Sequence, residues 1–467
     1  MIMLIFIRHH NKLYGRNKEM VKRSSKWVCL LLAMIVMAGC AGKNSQEEPT
    51  PASPANKSDE KTIIKFHHWQ NTEDEKLDLV IEEFEKLNPD IKVESIRLEA
   101  IDSTESLKKL DLLAASGEQL DVVMMPSNIT YAQRVGMGML EPLNPFLEKE
   151  GAVFEDEYKL DTSMDGVYYA LPGHLMPDMV LLNMDHLEEA NLPVPTDWTF
   201  DEFFEYAKIL SKGEGTDKRY GTYIHSWASS NSFALRSQPE QNMLINADET
   251  SNANSPALRK SLEILQQTQM TDKSALPYAD IISQKLHYAW PYFNGKASMQ
   301  ILGGYMLTRV GGYDKYPATF RTAFAPFPKM SKDDENYAPV SETLYLSVAA
   351  ASKHKEASYK FIRYYTTEGF SVQGKYLGAW KKLDVDKEID NIISHTQNPE
   401  FVDGESFKNV MSKVKFAKLG IPPTYYNEIV KAYNEEVELF LLGNQDIDTT
   451  ISKTDEKIKK IVQLNQK

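Results

Sequence analysis

The chain has 467 residues, with 53 Lys and Arg against 66 Asp and Glu, a formal charge of −13, and two cysteines. Such an acidic balance repels phosphate backbones and argues against a nucleic-acid partner. Two cysteines are too few for a disulfide framework, and the length suggests about two to three domain equivalents of ~150 residues each.

The first feature along the chain is an apolar run of 12 residues, Trp27 to Ala38, preceded by Lys22, Arg23 and Lys26 and ending in the small residues Ala38 and Gly39. A membrane-spanning helix needs roughly 20 residues, so this run is too short to cross a bilayer. Its order of charged, apolar and small segments is that of a secretory signal. Met20 opens a conventional signal of its own, so residues 1–39 are read as an upstream segment plus signal peptide, with Met20 the expected start. Cys29 would leave with the signal, and Cys40 would head the exported chain, which then has no internal disulfide to form. Residues 1–39 hold seven Lys/Arg and one Glu, so their loss leaves 46 basic and 65 acidic side chains, a formal charge of −19. Residues 40–60 carry Pro49, Pro51 and Pro54 among Ser, Asn, Glu and Lys, with almost nothing to bury. That is linker composition, reaching roughly 25 Å root-mean-square as a flexible coil.

Regular structure is expected from Thr62, where TIIKFHHW reads as a strand. Thr72 and Glu75 offer a capping box, Leu77, Val80, Ile81, Phe84 and Leu87 recur at helical spacing, and Asn88-Pro89 stops that helix. Ile91 to Glu99 reads as a second strand, Leu107, Leu110 and Leu113 mark a second helix ending at Gly117, and Leu120 to Pro126 is a short buried strand. This alternation predicts right-handed βαβ units on a parallel sheet. GVYYALP (166–172), MVLLNMDHL (179–187) and ETLYLSVAA (342–350) add extended segments. TFDEFFEYAKILS from Thr199, KEASYKFIRYYTT from Lys355 and the last 60 or so residues add helices. The fold class is α/β, larger than one sheet comfortably covers.

Ligand loops of parallel α/β sheets lie beyond the carboxyl ends of the strands. Two such ends carry HHWQN (67–71) and PSNITY (126–131), which put polar groups and rings on one rim. Gly-x-Ser-x-Gly, a phosphate loop with Lys-Ser/Thr, and His-Glu-x-x-His are all absent. His67 and His68 are neighbours on a strand and point to opposite faces, so neither a metal nor any other cofactor is expected. Trp69, Trp227, Trp290, Tyr292, Tyr305 and Trp380 fall in segments that read as loops or loop–helix junctions. Flat apolar rings beside amides and carboxylates suit a ligand with apolar faces and hydroxyl edges, such as a sugar, although about half of these rings are expected in the core.

Several segments in order resemble the extracellular solute-binding proteins of ABC importers, in the cluster that includes sugar and oligosaccharide binders. They are FEKLNPDIKVE (84–94), LLAASGEQLDVVMMPS (112–127), GMLEPLNPFL (138–147), DGVYYALPG (165–173), VLLNMDHLEEANLPVPTDWTFDEFFEYAKIL (180–210), YFNGKASMQILGGYML (292–307), APFPK (325–329) and EASYKFIRYYTTEGFSVQGKY (356–376). VMAGC at Cys40 resembles a lipobox, which implies diacylation of Cys40 and anchoring on the outer face of a Gram-positive cell membrane; two acyl chains suffice for that. The resemblance further implies a two-lobed periplasmic-binding-protein-like fold of type II, closing by a hinge on a ligand between the lobes. Crossings are expected near 171–177, 320–328 and 369–375, giving a first lobe of 61–172 plus 326–370 and a second of 175–322 plus 371–467.

Carried over from sugar-binding relatives, the ligand contacts are His67, His68, Trp69, Gln70, Ser127, Asn128, Pro172, Gly173, His174, Trp227, Tyr305 and Trp380. Where relatives commonly have a glycine pair, this chain has SETLYLS, so Glu342 either enters the cleft, where it would favour a particular ligand, or merely caps a helix. The implied function is a lipid-anchored, monomeric, non-catalytic binding protein that passes a carbohydrate to ABC permease subunits. The alternatives are a non-sugar binder or sensor subunit, and a surface-anchored glycan-degrading enzyme with two facing carboxylates.

Overall fold

The computed structural model describes residues 61–99, 103–313, 316–417, 420 and 422–466, without the side chains of Thr104, Ser341 and Glu342. The expected signal, Cys40 and the linker lie outside these residues.

The elements that build the two sheets and their covers are, in chain order, β1 (Thr62–His68), α1 (Leu77–Leu87), β2 (Ile91–Arg97), α2 (Ser103–Ala115), β3 (Val122–Met125), α3 (Asn128–Gly136) and β4 (Leu171–Asn183). There follow α4 (Phe200–Leu210), β5 (Tyr220–Tyr223), β6 (Ala297–Gly303), β7 (Thr322–Ala325), β8 (Val340–Val348), α5 (Lys355–Tyr364), α6 (Tyr426–Leu441) and α7 (Ile447–Asn465). Strands run in the order β2-β1-β3-β8-β4-β6-β5, with β7 also on β4. The first three are parallel, as the βαβ pattern predicts. β8 enters antiparallel to both β3 and β4.

β4 joins the two halves. All 13 of its residues are buried. From Leu171 to Pro177 it pairs with β8, and from Asp178 to Asn183 it pairs with β6 and β7. Alternation along the strands sends successive side chains into different cores. Val122 and Met124 face the core that holds Phe66, Phe84 and Phe361, whereas Val123 and Met125 face the one that holds Leu107 and Leu110. Val180 and Leu182 likewise pack with α4, α6 and α7, and Met179 and Leu181 with Tyr292, Phe324 and Phe407. Each half is therefore a sheet covered on both faces, a layered α/β architecture in two lobes as the resemblance implies.

Two local expectations shift. The first helix begins at Leu77 without the Thr72/Glu75 box, because Asn71 Oδ1 accepts from the amides of Glu73 (3.1 Å) and Asp74 (3.4 Å) and turns the chain first. Capping boxes form instead at Ser127/Thr130 and Thr199/Glu202. The core packing also moves the lobe boundaries. Phe327 and Ala338 still belong to the second lobe's core and Leu344 to the first, so we place the second crossing after Ala338 and not at 320–328. Phe370 and Ala379 pack in the first lobe, and Leu377 and Ile389 in the second, so the third falls near 377–385.

Candidate functional site

The first lobe brings its expected residues to the ends of β1 and β3 and into β4. His67 and His68 close β1 and are buried on opposite faces. His68 Nε2 lies 2.7 Å from Ser95 Oγ, and its ring sits 4.9 Å from that of Phe66. Burial holds both imidazoles neutral at pH 7, pushing His68 down to about 4. Trp69 packs half-buried on the first lobe's core. Gln70 is buried with no hydrogen-bond partner for Oε1 among the described residues.

Ser127 is the N-cap of α3, its Oγ accepting from Thr130 N, so its hydroxyl is engaged in starting a helix. Asn128 reaches across to the second lobe, donating Nδ2 to the Gly420 carbonyl at 3.1 Å. Pro172, Gly173 and His174 are buried within β4. A side chain at Gly173 would meet Leu344 Cβ and Phe370 Cζ at 3.0 Å, so its smallness serves packing between β4, β8 and Phe370. His174 lies against Phe370 and Tyr376, and burial pushes its pKa to about 3. The side chain of Glu342 lies outside the description; its backbone, in β8, pairs with Met176 of β4.

Trp227 and Tyr305 come together on the second lobe, lining a cavity of about 400 Å³ with Asp178, Ser229, Tyr288 and Arg309. That is the size range of small-ligand sites. Trp227 is 40% exposed, which for an indole beside a cavity means a free ring face. Two rings pack on it: His225 stands edge-on at 4.8 Å and Tyr288 lies tilted at 5.2 Å. His225 is fixed in turn by the Tyr223 hydroxyl at 2.7 Å, and burial followed by the charge of nearby His287 lowers it to about 4. Asp178, at the midpoint of β4, pairs with Arg236 at 3.4 Å, and Arg236 Nη2 donates to the Val340 carbonyl at 2.8 Å. The polar and aromatic mixture therefore sits at the strand shared by the two lobes.

Trp380 lies elsewhere. It lines a different cavity, with Phe146, Tyr359 and Arg363, and shares no lining residue with the Trp227 cavity. Its Nε1 donates to Glu157 Oε2 at 2.8 Å. Glu157 also accepts from Lys382 (2.6 Å) and Arg363 (2.8 Å). Burial alone would raise this carboxyl, but the three donors outweigh it and bring it to about 2.

Sequence reasoning missed Asp178, Tyr288 and Arg309. Arg309 was within reach, since it lies one turn beyond Tyr305. Asp178 carried no local signal, since its partner Arg236 is 58 positions away; Tyr288 meets Arg309 and Tyr313 at separations of 21 and 25, which no helix or strand period links. Among the described residues no group of three or more His, Cys, Asp or Glu is arranged to hold a metal, and no helix is long and apolar enough to cross a membrane.

Residues 68–370 match the family described as bacterial extracellular solute-binding protein. No curated protein sequence matches the chain. Among solved structures, a sugar transporter of Rhizobium etli in an open conformation is 21% identical with a TM-score of 0.71, covering 85% of this chain and 99% of that one. An ABC substrate-binding protein of Listeria monocytogenes in complex with cycloalternan is 20% identical with a TM-score of 0.68, over 86% and 99%. UgpB of Mycobacterium tuberculosis in complex with glycerophosphocholine is 17% identical with a TM-score of 0.66, over 86% and 99%.

Proposed function

We propose that this chain, which belongs to the bacterial extracellular solute-binding protein family, captures a carbohydrate beside Trp227 and delivers it to the permease subunits of an ABC transporter. Membership puts its work on the extracellular side of the membrane and makes it a binder of solute, not an enzyme. The observation that carries the carbohydrate reading is the half-exposed Trp227 ring over a small-ligand cavity edged by hydroxyls and charged groups. A pyranose presents a C–H face to such a ring and hydroxyls around its rim, where Asp178, Ser229 and Tyr288 can exchange hydrogen bonds. The relatives crystallised as a sugar transporter and with cycloalternan point the same way.

On this reading the first lobe's rim, Trp69, Gln70, Ser127 and Asn128, closes over the ligand. The unpartnered Gln70 Oε1 supports a polar ligand or water there. Cys40 is the lipid attachment point, residues 40–60 are the tether, and the protein works as a monomer on the outer face of the cell membrane.

A thermal-shift and calorimetric screen of mono- and oligosaccharides tests the ligand class, with a rise in melting temperature expected from a saccharide that binds the folded state. Absence of binding by every sugar overturns the carbohydrate reading. Small-angle scattering should show a smaller particle with ligand. Cys40→Ser should release the protein into the medium with binding intact, and retention on membranes overturns the anchor.

A further inference from the structure

Among the described residues, the charges on the wall of the Trp227 cavity do not balance. Two charged side chains line it, Asp178 and Arg309. The Asp178 carboxylate faces Arg236. Arg309 has no counterpart: among the described residues it forms no ion pair, and its hydrogen bond runs from Nη1 to the Tyr288 hydroxyl at 2.5 Å. Its guanidinium lies over the rings of Tyr305 and Tyr313, 4.9 Å from each centroid. Tyr288 in turn donates to the Tyr313 hydroxyl at 3.3 Å, so the cage is cross-braced.

The guanidinium is half-buried, and no carboxylate among the described residues offsets its charge. The tyrosine faces offset part of its desolvation, and among the described residues Nε and Nη2 have no acceptor. A rigid planar fork with open donors, held beside a stacking surface, is the arrangement that recognises a carboxylate by two parallel hydrogen bonds. A neutral hydroxyl would take one donor and leave the charge uncompensated.

We infer, building on the carbohydrate reading above, that the solute is an acidic saccharide, a hexuronate-bearing oligomer whose carboxylate docks on Arg309 while a sugar ring packs on Trp227. A phosphate ester shares the anionic chemistry and is kept apart by the test.

Calorimetry on the full chain would compare galacturonate and glucuronate di- and trisaccharides with their methyl esters, with the matching neutral oligomers, with glucose 6-phosphate and with glycerophosphocholine. Binding of a uronide, weakened about 10- to 100-fold by esterification and by a similar factor in Arg309→Gln, is the expected result, from the strength of a charge-assisted bidentate contact. The ester should bind the wild type and Arg309→Gln equally, which also shows that the variant folds. Arg309→Lys should recover part of the uronide affinity. Neutral oligomers that bind as tightly as the uronides overturn the acidic inference and leave the carbohydrate reading standing. Binding of glucose 6-phosphate without any uronide overturns the carboxylate assignment. Binding of glycerophosphocholine with no saccharide bound, or no binding at all, overturns both readings.

Discussion

Two arginines in this molecule rest on tyrosine rings and yet live in opposite surroundings. Arg363, in the first lobe, lies 5.6 Å from the Tyr158 ring and has a partner for each nitrogen: Nε donates to Glu150 at 2.9 Å, Nη1 to the Tyr158 hydroxyl at 2.9 Å and Nη2 to Glu157 at 2.8 Å. Trp380 beside it donates to the same Glu157. Arg309, in the second lobe, has tyrosine faces and one phenol, and the tryptophan beside its cavity, Trp227, shows an open face. The residue types are nearly the same. What differs is whether the polar groups are satisfied within the protein, and that separates a cluster that holds the fold from the one proposed to take the ligand.

Acid should open the contrast widest. His225, which braces Trp227, is held down to about 4, and Glu157, which anchors Trp380, to about 2. Each binds fewer protons folded than unfolded between its two pKa values, so each supports stability at neutral pH and loses it as pH falls. For His225 the loss runs from about 6.5 down to about 4; for Glu157 it runs from about 4.5 down to about 2. His68 and His186, also lowered to about 4 by burial, act in the first of these windows. The melting temperature should therefore drop steeply between pH 6.5 and 4. Hydrogen exchange around Trp227 should rise in that interval while the Glu157 cluster stays protected. A melting temperature flat from pH 7 to 4.5 would show that these histidines are not buried neutral.

Removing Glu157 comes next in size. Glu157→Ala leaves Arg363 half-buried with one carboxylate, strips Trp380 of its acceptor and should cost about 2–3 kcal/mol in urea unfolding, the range for lost hydrogen bonds to a charged group. Ligand affinity of the folded fraction should stay put. A large loss of affinity at an unchanged urea midpoint would reverse the roles assigned to the two clusters.

The two tryptophans make a finer test. Trp227→Ala should weaken ligand binding about 10-fold or more through loss of a stacking face, with little change in stability because the ring is 40% exposed. Trp380→Ala should lower stability by about 2 kcal/mol and leave affinity alone, since it packs on the first lobe's core and bonds to Glu157. If both variants lose affinity equally, Trp380 also faces the ligand, as the resemblance implied.

That pair also marks how far the sequence can be read. The fold was legible where local signals agreed with tertiary ones: β1 to β3 and their helices follow from a β-branched run, helical spacing and an Asn-Pro stop. The start of α1 was misread because an Asn71 side chain, not Thr72, captures the free amides. At the site, Trp227 and Tyr305 could be chosen as rings near loops, but so could Trp380, whose acceptor is 223 positions away. Arg309 looks like any surface cation until Tyr288 and Tyr313 are seen around it. Pairings at such separations are set by how β4 threads both lobes, and no local pattern encodes them.

The smallest effect concerns Gly173, which the resemblance places at the ligand and the packing places between β4, β8 and Phe370. An alanine Cβ there would lie 3.0 Å from both Leu344 Cβ and the Phe370 ring, a few tenths of an ångström too close. Both neighbours are fully buried in the first lobe's core and have little room to retreat. Gly173→Ala should therefore cost about 1 kcal/mol, at the low end for overpacking by one methyl, seen as a lower urea midpoint with an unchanged slope. Ligand affinity should not move, because the added methyl points into the core. A weaker ligand affinity at an unchanged midpoint would mean that the Gly173 backbone meets the ligand and that the cavity beside Trp227 extends along β4 into the first lobe.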